Sequence, residues 1–298
     1  MTAMTIMGLI SMPPGKIEGG DVRYRGRSIL EMTEEEMQHI RGNDIAMIFQ
    51  DPMTSLNPVY KIGKQVGEGL RLHRGYSKQE ALKRATELLD LVGIPEPEKR
   101  VNEYPHQFSG GMRQRVMIAM ALACDPDILI ADEPTTALDV TIQAQIIELM
   151  QEMQEKNGNA IIMITHDLGV VADMADKIMV MYAGRPVEFG TAEEIFYESR
   201  HPYTWGLIRS IPEQAIDEKK PLTPIHGNPP SLMNLPEGCV FSPRCPYATD
   251  KCRKQRPERF VTESGHYSAC HYAGDPEFLK NAPVTSRTRK DSKKGGEA

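Results

Sequence analysis

The chain is predicted to have an α/β fold with a mostly parallel sheet. Two observations predict it: short apolar runs alternate with helical segments, and polar residues follow directly after several of these runs. A content of 40% hydrophobic and 26% charged residues among 298 is that of an ordinary globular protein. The net charge of -6 argues against a general nucleic-acid binder. No apolar run approaches the ~20 residues that cross a bilayer, and the N-terminus lacks the basic region of a signal peptide.

The first elements predicted are a helix and two strands. Thr2 to Leu9 has a helical pattern that is stopped by Pro13, Pro14 and Gly15. Val22 to Tyr24 lies between glycines and predicts a short strand. Asp44 to Phe49 has the length and apolar character of a buried strand.

An amphipathic helix is predicted from Ser77 to Val92. Ser77 is a helix-capping residue, and Glu80 three positions later completes a capping box. Apolar residues then recur at helical spacing, so one face of the helix is expected to be buried. They are Leu82, Ala85, Leu88, Leu89 and Val92.

The alternation continues through the middle of the chain. A helix from Gly110 to Ala123 precedes a strand from Ile128 to Ala131, and a helix from Thr141 to Lys156 precedes a strand from Ala160 to Thr165. Lys177 to Tyr182 is predicted to complete the strands of the sheet.

Composition changes near His201, where proline and cysteine become frequent and periodicity fades. We therefore predict a first domain at residues 1–200, a small Cys-rich module at 201–274 and a disordered basic tail at 275–298.

Two acidic residues end an apolar strand. Asp132 and Glu133 follow Ile128 to Ala131. A carboxylate at the carboxyl edge of a parallel sheet can bind Mg²⁺, often through water, while its neighbour faces an attacking water. The alternative is a solvated turn, because Asp-Glu-Pro is common on its own.

Ser109, Gly110 and Gly111 stand at the start of a predicted helix. Glycines let the backbone approach an anion, and the free N–H groups of a helix start favour a phosphate. Gln50, after the strand that ends at Phe49, can ligate Mg²⁺ or orient water. His166, after the strand that ends at Thr165, can hydrogen-bond a γ-phosphate and water. An ordinary loop, a solvated Gln and a structural His are the alternatives.

In this order and spacing, the motifs resemble the ATPase subunit of an ATP-binding-cassette (ABC) transporter. Phe108 and Met112 replace the usual Leu and Gln of the signature motif, which leaves its glycines accessible. The resemblance implies a P-loop NTPase-like cassette with a helical signature subdomain, and ATP with Mg²⁺. The matching parts are Gln50 (Q-loop), Phe108 to Met112 (signature), Ile128 to Glu133 (Walker B), Ala137-Leu138-Asp139 (D-loop) and His166 (switch histidine).

The resemblance also implies residue roles. Glu133 would be the base for water, with Asp132 and Gln50 at Mg²⁺ and His166 at the γ-phosphate. ABC dimers resemble two head-to-tail half-sites that share two ATPs, so Ser109, Gly110 and Gly111 would face a partner's ATP.

The Gly-x-x-x-x-Gly-Lys-Ser/Thr loop of the family is missing from the 298 residues. Gly15-Lys16 has neither its spacing nor a following hydroxyl, and Thr2 to Ile10 resembles the helix after that loop. We expect a cassette that lacks its first strands and P-loop, through a misassigned start codon or a truncated gene. Activity of this chain alone is therefore doubtful, and a catalytically incompetent partner subunit is the alternative.

Three segments resemble the peptide and nickel importer branch: Gln50 to Pro58, His201 to Thr204, and Gly227 to Pro230. The branch implies import of oligopeptides or dipeptides, with a nickel importer as the alternative. It also implies a second ATPase subunit, two membrane permease subunits, an external binding protein and a peripheral place on the cytoplasmic face. A soluble ABC protein of DNA repair or translation would need a coiled-coil insertion or second cassette, and the sequence has neither.

Four cysteines lie in the second module with the spacing C-x₅-C-x₆-C-x₁₇-C: Cys239, Cys245, Cys252 and Cys270. Four thiolates in a cytosolic chain suit a metal or an iron–sulfur cluster better than disulfides, although unrelated thiols or two disulfides remain open. The spacing resembles the 4Fe–4S motif of dipeptide-importer ATPases, with zinc as the alternative. Cys124 is expected to be an ordinary buried thiol.

Overall fold

The computed structural model describes residues 1–51, 55–135, 138–210 and 224–283, apart from the Asn157 side chain. The chain divides into two compact units, Met1–His166 and Asp167–Ala298. The predicted domains, 1–200 and 201–274, stay a prediction. Most of the predicted tail, from residue 284 onward, lies outside the described residues.

The first unit contains a parallel sheet of strands β3 (Ile45–Ile48), β4 (Ile128–Asp132) and β5 (Ala160–Ile164), in that order. Ile48 pairs with Ala131, and Asp132 pairs with Ile164. The carboxyl ends of all three strands therefore lie at one edge of the sheet. This confirms the predicted α/β fold and the three strands within one or two residues.

Most helices of the first unit are confirmed. Helix α5 (Lys78–Leu91) begins with the predicted Ser77–Glu80 capping box. Helix α1 (Thr2–Ile6) is shorter than predicted, because Gly8 adopts a left-handed φ of 62° that ends the helix before the prolines. The remaining elements are β1 (Arg23–Tyr24), β2 (Arg27–Ser28), α2 (Glu34–Ile40), α3 (Ile62–Val66), α4 (Glu68–His73), α6 (Pro97–Arg100), α7 (Gly110–Leu122) and α8 (Val140–Asn157).

The second unit contains an antiparallel sheet. Strand β6 (Lys177–Tyr182) pairs with β7 (Arg185–Thr191), followed by β9 (Tyr267–Ser268) and β8 (Phe260–Val261). The strand at 177–182 is confirmed, but its place in the parallel sheet is wrong. Ala183 and Gly184 both adopt positive φ, 49° and 73°, and such a two-residue turn folds β6 back into a hairpin with β7.

The core of the second unit is aromatic. The Tyr182 ring lies 4.6 Å from that of Tyr203 and 5.2 Å from that of Phe241, measured between ring centres. Trp205 is 1% exposed and contacts the Tyr247 and Phe278 rings. The helices around this core are α9 (Leu168–Met174), α10 (Ala192–Tyr197), α11 (Pro202–Arg209), α12 (Asp250–Lys254) and α13 (Pro276–Leu279).

A glutamate and a histidine form a buried pair within the second unit. His266 Nε2 is 3.0 Å from Glu188 Oε1, and both side chains are at most 1% exposed. Glu188 Oε1 also accepts a hydrogen bond of 2.5 Å from the Arg200 backbone N–H. The pair ties β7 to the segment that enters β9. Across the described residues, no helix is both long and apolar enough to span a bilayer.

Candidate functional site

Glu133 stands directly after β4, at the carboxyl edge of the parallel sheet. Its φ is 49°, a left-handed value that is uncommon for a residue with a Cβ. Its backbone N–H donates to the Ile164 carbonyl at 2.9 Å. This bond extends the ladder between β4 and β5 by one residue and fixes the backbone that carries the carboxylate.

Gln50 and His166 both contact the Glu133 carboxylate. Gln50 Nε2 donates to Glu133 Oε2 at 2.9 Å, and His166 Nδ1 lies 3.3 Å from Glu133 Oε1. The three residues predicted as catalytic are therefore brought together from the ends of three parallel strands. The Glu133 side chain is 23% exposed and that of His166 is 75% exposed, so the carboxylate is supported yet open to water.

Asp132 is the last residue of β4, one position before Glu133. Asp132 is half-buried, and Gln50 follows the neighbouring strand at the same edge of the sheet, so both side chains carry oxygens that could hold a metal ion there. No group of three or more His, Cys, Asp or Glu side chains placed to hold a metal occurs in the described part of the chain. Two protein oxygens fit Mg²⁺ that takes its remaining ligands from phosphates and water.

Ser109 and Gly110 form the exposed start of helix α7. Ser109 Oγ accepts a hydrogen bond of 3.3 Å from the Met112 backbone N–H and so caps the helix. A Cβ built on Gly110 would meet nothing within 4 Å, so packing does not require glycine there. Gly111 follows within the first turn. The open space in front of this helix start fits an anion that approaches the backbone.

Asp139 caps helix α8, where its Oδ1 accepts from the Ile142 backbone N–H at 3.1 Å. Burial lowers the pKa of the Arg115 guanidinium, and the charge of Asp139 opposes that shift. Ala137 of the predicted D-loop and residues 52–54 of the predicted Gln50–Pro58 segment lie outside the described residues.

Gln114 was not predicted as a site residue. It is 1% exposed on α7, and its Nε2 donates to the Pro134 carbonyl at 2.7 Å. This bond ties helix α7 to the residue after Glu133. The signal in the sequence was a polar side chain on a helix whose next turns, from Val116 to Leu122, are apolar.

The four cysteines of the second unit line one small cavity of about 20 Å³. The Cys239 backbone N–H donates to the Cys252 carbonyl at 2.8 Å. Burial raises the pKa of the Cys245 thiol to about 11 and that of Cys270 to about 12. Burial raises the pKa of Cys239 as well, so these three thiols hold their protons at neutral pH.

The structure does not support the predicted metal centre at these cysteines. Within the described ranges, no three His, Cys, Asp or Glu side chains are placed to hold a metal ion. All five cysteines are free, so the disulfide alternative is not observed among them. Cys124 is buried, as predicted.

Comparisons with known proteins identify both parts of the chain. A family model described as "ABC transporter" matches residues 1–136, and one described as "Oligopeptide/dipeptide transporter, C-terminal region" matches residues 187–252. The first match begins at residue 1, so it does not confirm the predicted truncation.

Two relatives and one solved structure show the extent of the similarity. The oligopeptide transport ATP-binding protein OppD of Bacillus subtilis is 57% identical over 267 residues, which cover 90% of this chain and 75% of OppD. The dipeptide transport ATP-binding protein DppD of Escherichia coli is 51% identical over 275 residues, covering 92% and 84%. The ATP-binding cassette MJ0796, a dimer bound to ADP and Pi, aligns with a TM-score of 0.57 and 30% identity, covering 64% of this chain and 80% of that one. With this identity over most of its length, and with Glu133 held between Gln50 and His166, the chain belongs to the family of ATP-binding subunits of ABC oligopeptide and dipeptide transporters.

Proposed function

We propose that this chain is an ATPase subunit that couples ATP binding and hydrolysis to the import of oligopeptides or dipeptides. The observation that carries the proposal is the Glu133 carboxylate, held by Gln50 and His166 at an open sheet edge. A carboxylate fixed in this way can accept a proton from water that attacks a γ-phosphate.

Each site residue has a role in this proposal. Glu133 accepts the proton of the attacking water, while Gln50 and Asp132 provide oxygen ligands for the Mg²⁺ of MgATP. His166 retains its exposed Nε2 for the γ-phosphate while Nδ1 contacts Glu133. The start of helix α7 offers the Ser109 hydroxyl and the backbone N–H groups of Gly110 and Gly111 to the γ-phosphate in a partner's half-site. Asp139 orders the start of helix α8, between the two half-sites.

The subunit is proposed to act on the cytoplasmic face of the membrane, held there by other subunits. Its partners are a second ABC ATPase subunit, two transmembrane permease subunits and, indirectly, an extracytoplasmic peptide-binding protein. No nucleic acid is needed. The named functions of OppD and DppD, oligopeptide and dipeptide transport, support peptide rather than nickel as substrate.

An incompetent partner subunit is the second candidate. It is favoured by one observation: the exposed start of helix α7 at Ser109 and Gly110 can serve a partner's ATP without a nucleotide at Glu133. In that case Ser109, Gly110 and Gly111 complete a partner's ATP site, and Glu133 faces no nucleotide.

Two variants distinguish the candidates when assembled with the second ATPase and the permease subunits in vesicles. Ser109→Arg blocks the helix start that serves a partner's ATP, whereas Glu133→Gln removes the base of this chain's own half-site. Loss of peptide-stimulated phosphate release in both variants supports the ATPase subunit. Loss in Ser109→Arg alone supports the incompetent partner, and unchanged release in both refutes both candidates. Uptake of labelled dipeptides, tripeptides and nickel by the same vesicles identifies the substrate.

The four cysteines are proposed to hold a structural centre, a 4Fe–4S cluster or alternatively zinc. Their shared cavity and its burial support this. Thiols with a raised pKa must lose their protons before they bind a metal. Binding of the cluster or of zinc must therefore release protons and rearrange the segment that carries the four cysteines. Iron content with absorbance near about 400 nm identifies the cluster, equimolar zinc identifies the alternative, and neither metal in anaerobically purified protein refutes both.

A further inference from the structure

Gln114 lies on helix α7 between two parts of the proposed nucleotide chemistry. It follows Gly110, the first residue of the helix, by about one helical turn. Its Nε2 donates to the Pro134 carbonyl at 2.7 Å, and Pro134 directly follows Glu133. One amide therefore connects the helix start that is proposed to serve a partner's ATP with the backbone that carries this chain's own base.

The connection is buried at both ends. Gln114 is 1% exposed, and Pro134 is buried as well, so water does not compete for the bond between them. Val116 and Ile118, farther along the same helix, are apolar and fully buried. An apolar side chain would fill the place of Gln114 without the cost of burying an amide, so packing alone does not account for the glutamine.

Glu133 needs support at this point of the chain. Its φ of 49° is uncommon for a residue with a Cβ, and a residue before proline is restricted further. Such a conformation persists only where the surroundings hold it. The Ile164 carbonyl holds the Glu133 N–H from the sheet, and the Gln114 amide holds Pro134 from helix α7. Of these two supports, the second is the one that a ligand at the start of α7 can alter.

The Gln114 amide is only half used. Its Oε1 is buried and accepts no hydrogen bond within the described part of the chain. Buried Gln65, by contrast, bonds through both atoms: Oε1 accepts from the Asn57 N–H at 2.8 Å, and Nε2 donates to the Asn57 carbonyl at 3.0 Å. A buried amide oxygen without a donor is costly, and such groups often mark a functional place in a fold. A small shift of α7 that brings a donor to Oε1 would remove this cost.

We propose that Gln114 is a positioning residue that makes the orientation of Glu133 depend on the phosphate bound at the start of helix α7. The proposal rests on the proposed ATPase function and adds the route by which a partner's half-site controls this one. Phosphate draws the N–H groups at Ser109 and Gly110 toward itself. Helix α7 moves with them, and the bond from Gln114 to the Pro134 carbonyl carries the movement to Glu133.

Gln114 touches neither the attacking water nor a phosphate in this arrangement. Its loss should therefore slow the catalytic step without weakening ATP binding. The assembled transporter in vesicles tests this, with a second ATPase subunit whose own base has been replaced, so that phosphate release reports on the Glu133 half-site alone. Gln114→Met keeps the length of the side chain and removes its donor. We expect kcat to fall about tenfold at an unchanged KM for ATP.

A double-mutant cycle tests the route itself. Ser109→Ala weakens the grip of the helix start on phosphate and should also lower kcat about tenfold. If Gln114 transmits the effect of that phosphate, the variant with both substitutions should be little slower than either single variant. Independent effects would instead multiply to about a hundredfold loss.

A buried position on the same helix supplies the control. Val116→Ala disturbs the packing of α7 and leaves the Gln114 bond in place. Its effect on kcat should multiply with that of Ser109→Ala. Urea unfolding confirms that each variant is folded under the assay conditions. Gln114→Glu, whose ionised carboxylate cannot donate to the Pro134 carbonyl, replaces Gln114→Met if that variant does not fold.

Three results would overturn the proposal: a multiplicative loss for Ser109→Ala with Gln114→Met, a raised KM at unchanged kcat in Gln114→Met, or the same non-additivity with Val116→Ala. The last result would mean general damage to the helix. Failure of the proposed function is separate, because it shows as hydrolysis that Glu133→Gln does not diminish. The inference about Gln114 is judged only in a transporter whose hydrolysis depends on Glu133.

Discussion

The edge of the parallel sheet and the cysteine cavity are both predicted from residue spacing. In the structure, only the side chains of the sheet edge form the predicted arrangement. At the sheet edge, Gln50, Glu133 and His166 are joined by hydrogen bonds. At the cavity, four thiols share a small space and form no metal-binding group in the described ranges. The first site is open to water, and the cysteines of the second are buried or partly buried.

The difference lies in what fixes each set of side chains. The backbone register of β3, β4 and β5 places the residues after these strands side by side, whatever ligand is present. The cysteines lie on loops and on the short helix α12, where the register of a sheet cannot position them. Metal sites on such segments take shape when the metal binds. Spacing alone therefore predicts geometry better where regular strands carry the residues.

The largest expected effect is at the sheet edge, in Glu133→Gln. The amide keeps the shape of the side chain and cannot accept the proton of water, so we expect hydrolysis in the assembled transporter to fall about 10³-fold, or about 4 kcal/mol in barrier. Phosphate release measures this, with Glu155→Gln on the exposed face of α8 as the control. Undiminished hydrolysis would mean that the edge is preorganised for some other purpose.

The next effect tests whether the interior of the second unit is as rigidly specified as the sheet edge. His266→Ala leaves Glu188 buried without its ring partner, and we expect a loss of about 3 kcal/mol in the free energy of unfolding. Urea unfolding followed by circular dichroism measures this. His226→Ala, at an exposed ring, should change stability little. Equal losses in both variants would remove the pair as a stabilising feature.

Gln114→Leu sharpens the comparison at the sheet edge. The substitution leaves the Pro134 carbonyl without its donor, so we expect about 2 kcal/mol less stability and slower hydrolysis than in the wild type. Unfolding and phosphate release are measured on the same preparation. Gln79→Leu, at an exposed position of α5, is the matched control. Full turnover in Gln114→Leu would show that Glu133 is positioned without this bond.

The smallest effect is a pH dependence in the second unit. Burial lowers the pKa of His201 from 6.5 to about 3, so the fold favours the neutral ring. Its contribution to stability is present above pH 6.5 and is lost as the pH falls toward 3. His201→Asn keeps a helix-capping residue but does not titrate. We expect wild type to lose about 1 kcal/mol more than the variant between about pH 7.5 and 5.5, measured by urea midpoints. Parallel losses would contradict the shift.

Much of the first unit could be predicted because its signals are local. Apolar runs gave β3, β4 and β5, and the Ser77–Glu80 capping box marked the start of α5. Helix α1 ends because Gly8 has a left-handed backbone conformation. The prediction placed the end later, because it was based on the prolines at 13 and 14. Gln114 was missed because its partner, the Pro134 carbonyl, is a backbone group twenty residues away.

The second unit was harder to predict because its pairings depend on turns and long-range contacts. The Ala183–Gly184 turn reverses the chain although alanine rarely adopts a positive φ, so the sequence carried little signal for the hairpin. Strand β9 reaches β7 from more than seventy residues away, and its Ser268 pairs with Glu188. Neither composition nor periodicity records such a pairing.

Trp205 gives the molecule an optical asymmetry. It is the one tryptophan of the chain, it is enclosed between the Tyr247 and Phe278 rings, and it belongs to the second unit. Tryptophan fluorescence, excited at the red edge of protein absorbance, therefore reports on the second unit alone, because the first unit has no tryptophan. Unfolding curves from emission and from far-ultraviolet circular dichroism will coincide if the two units melt together and separate if they melt independently.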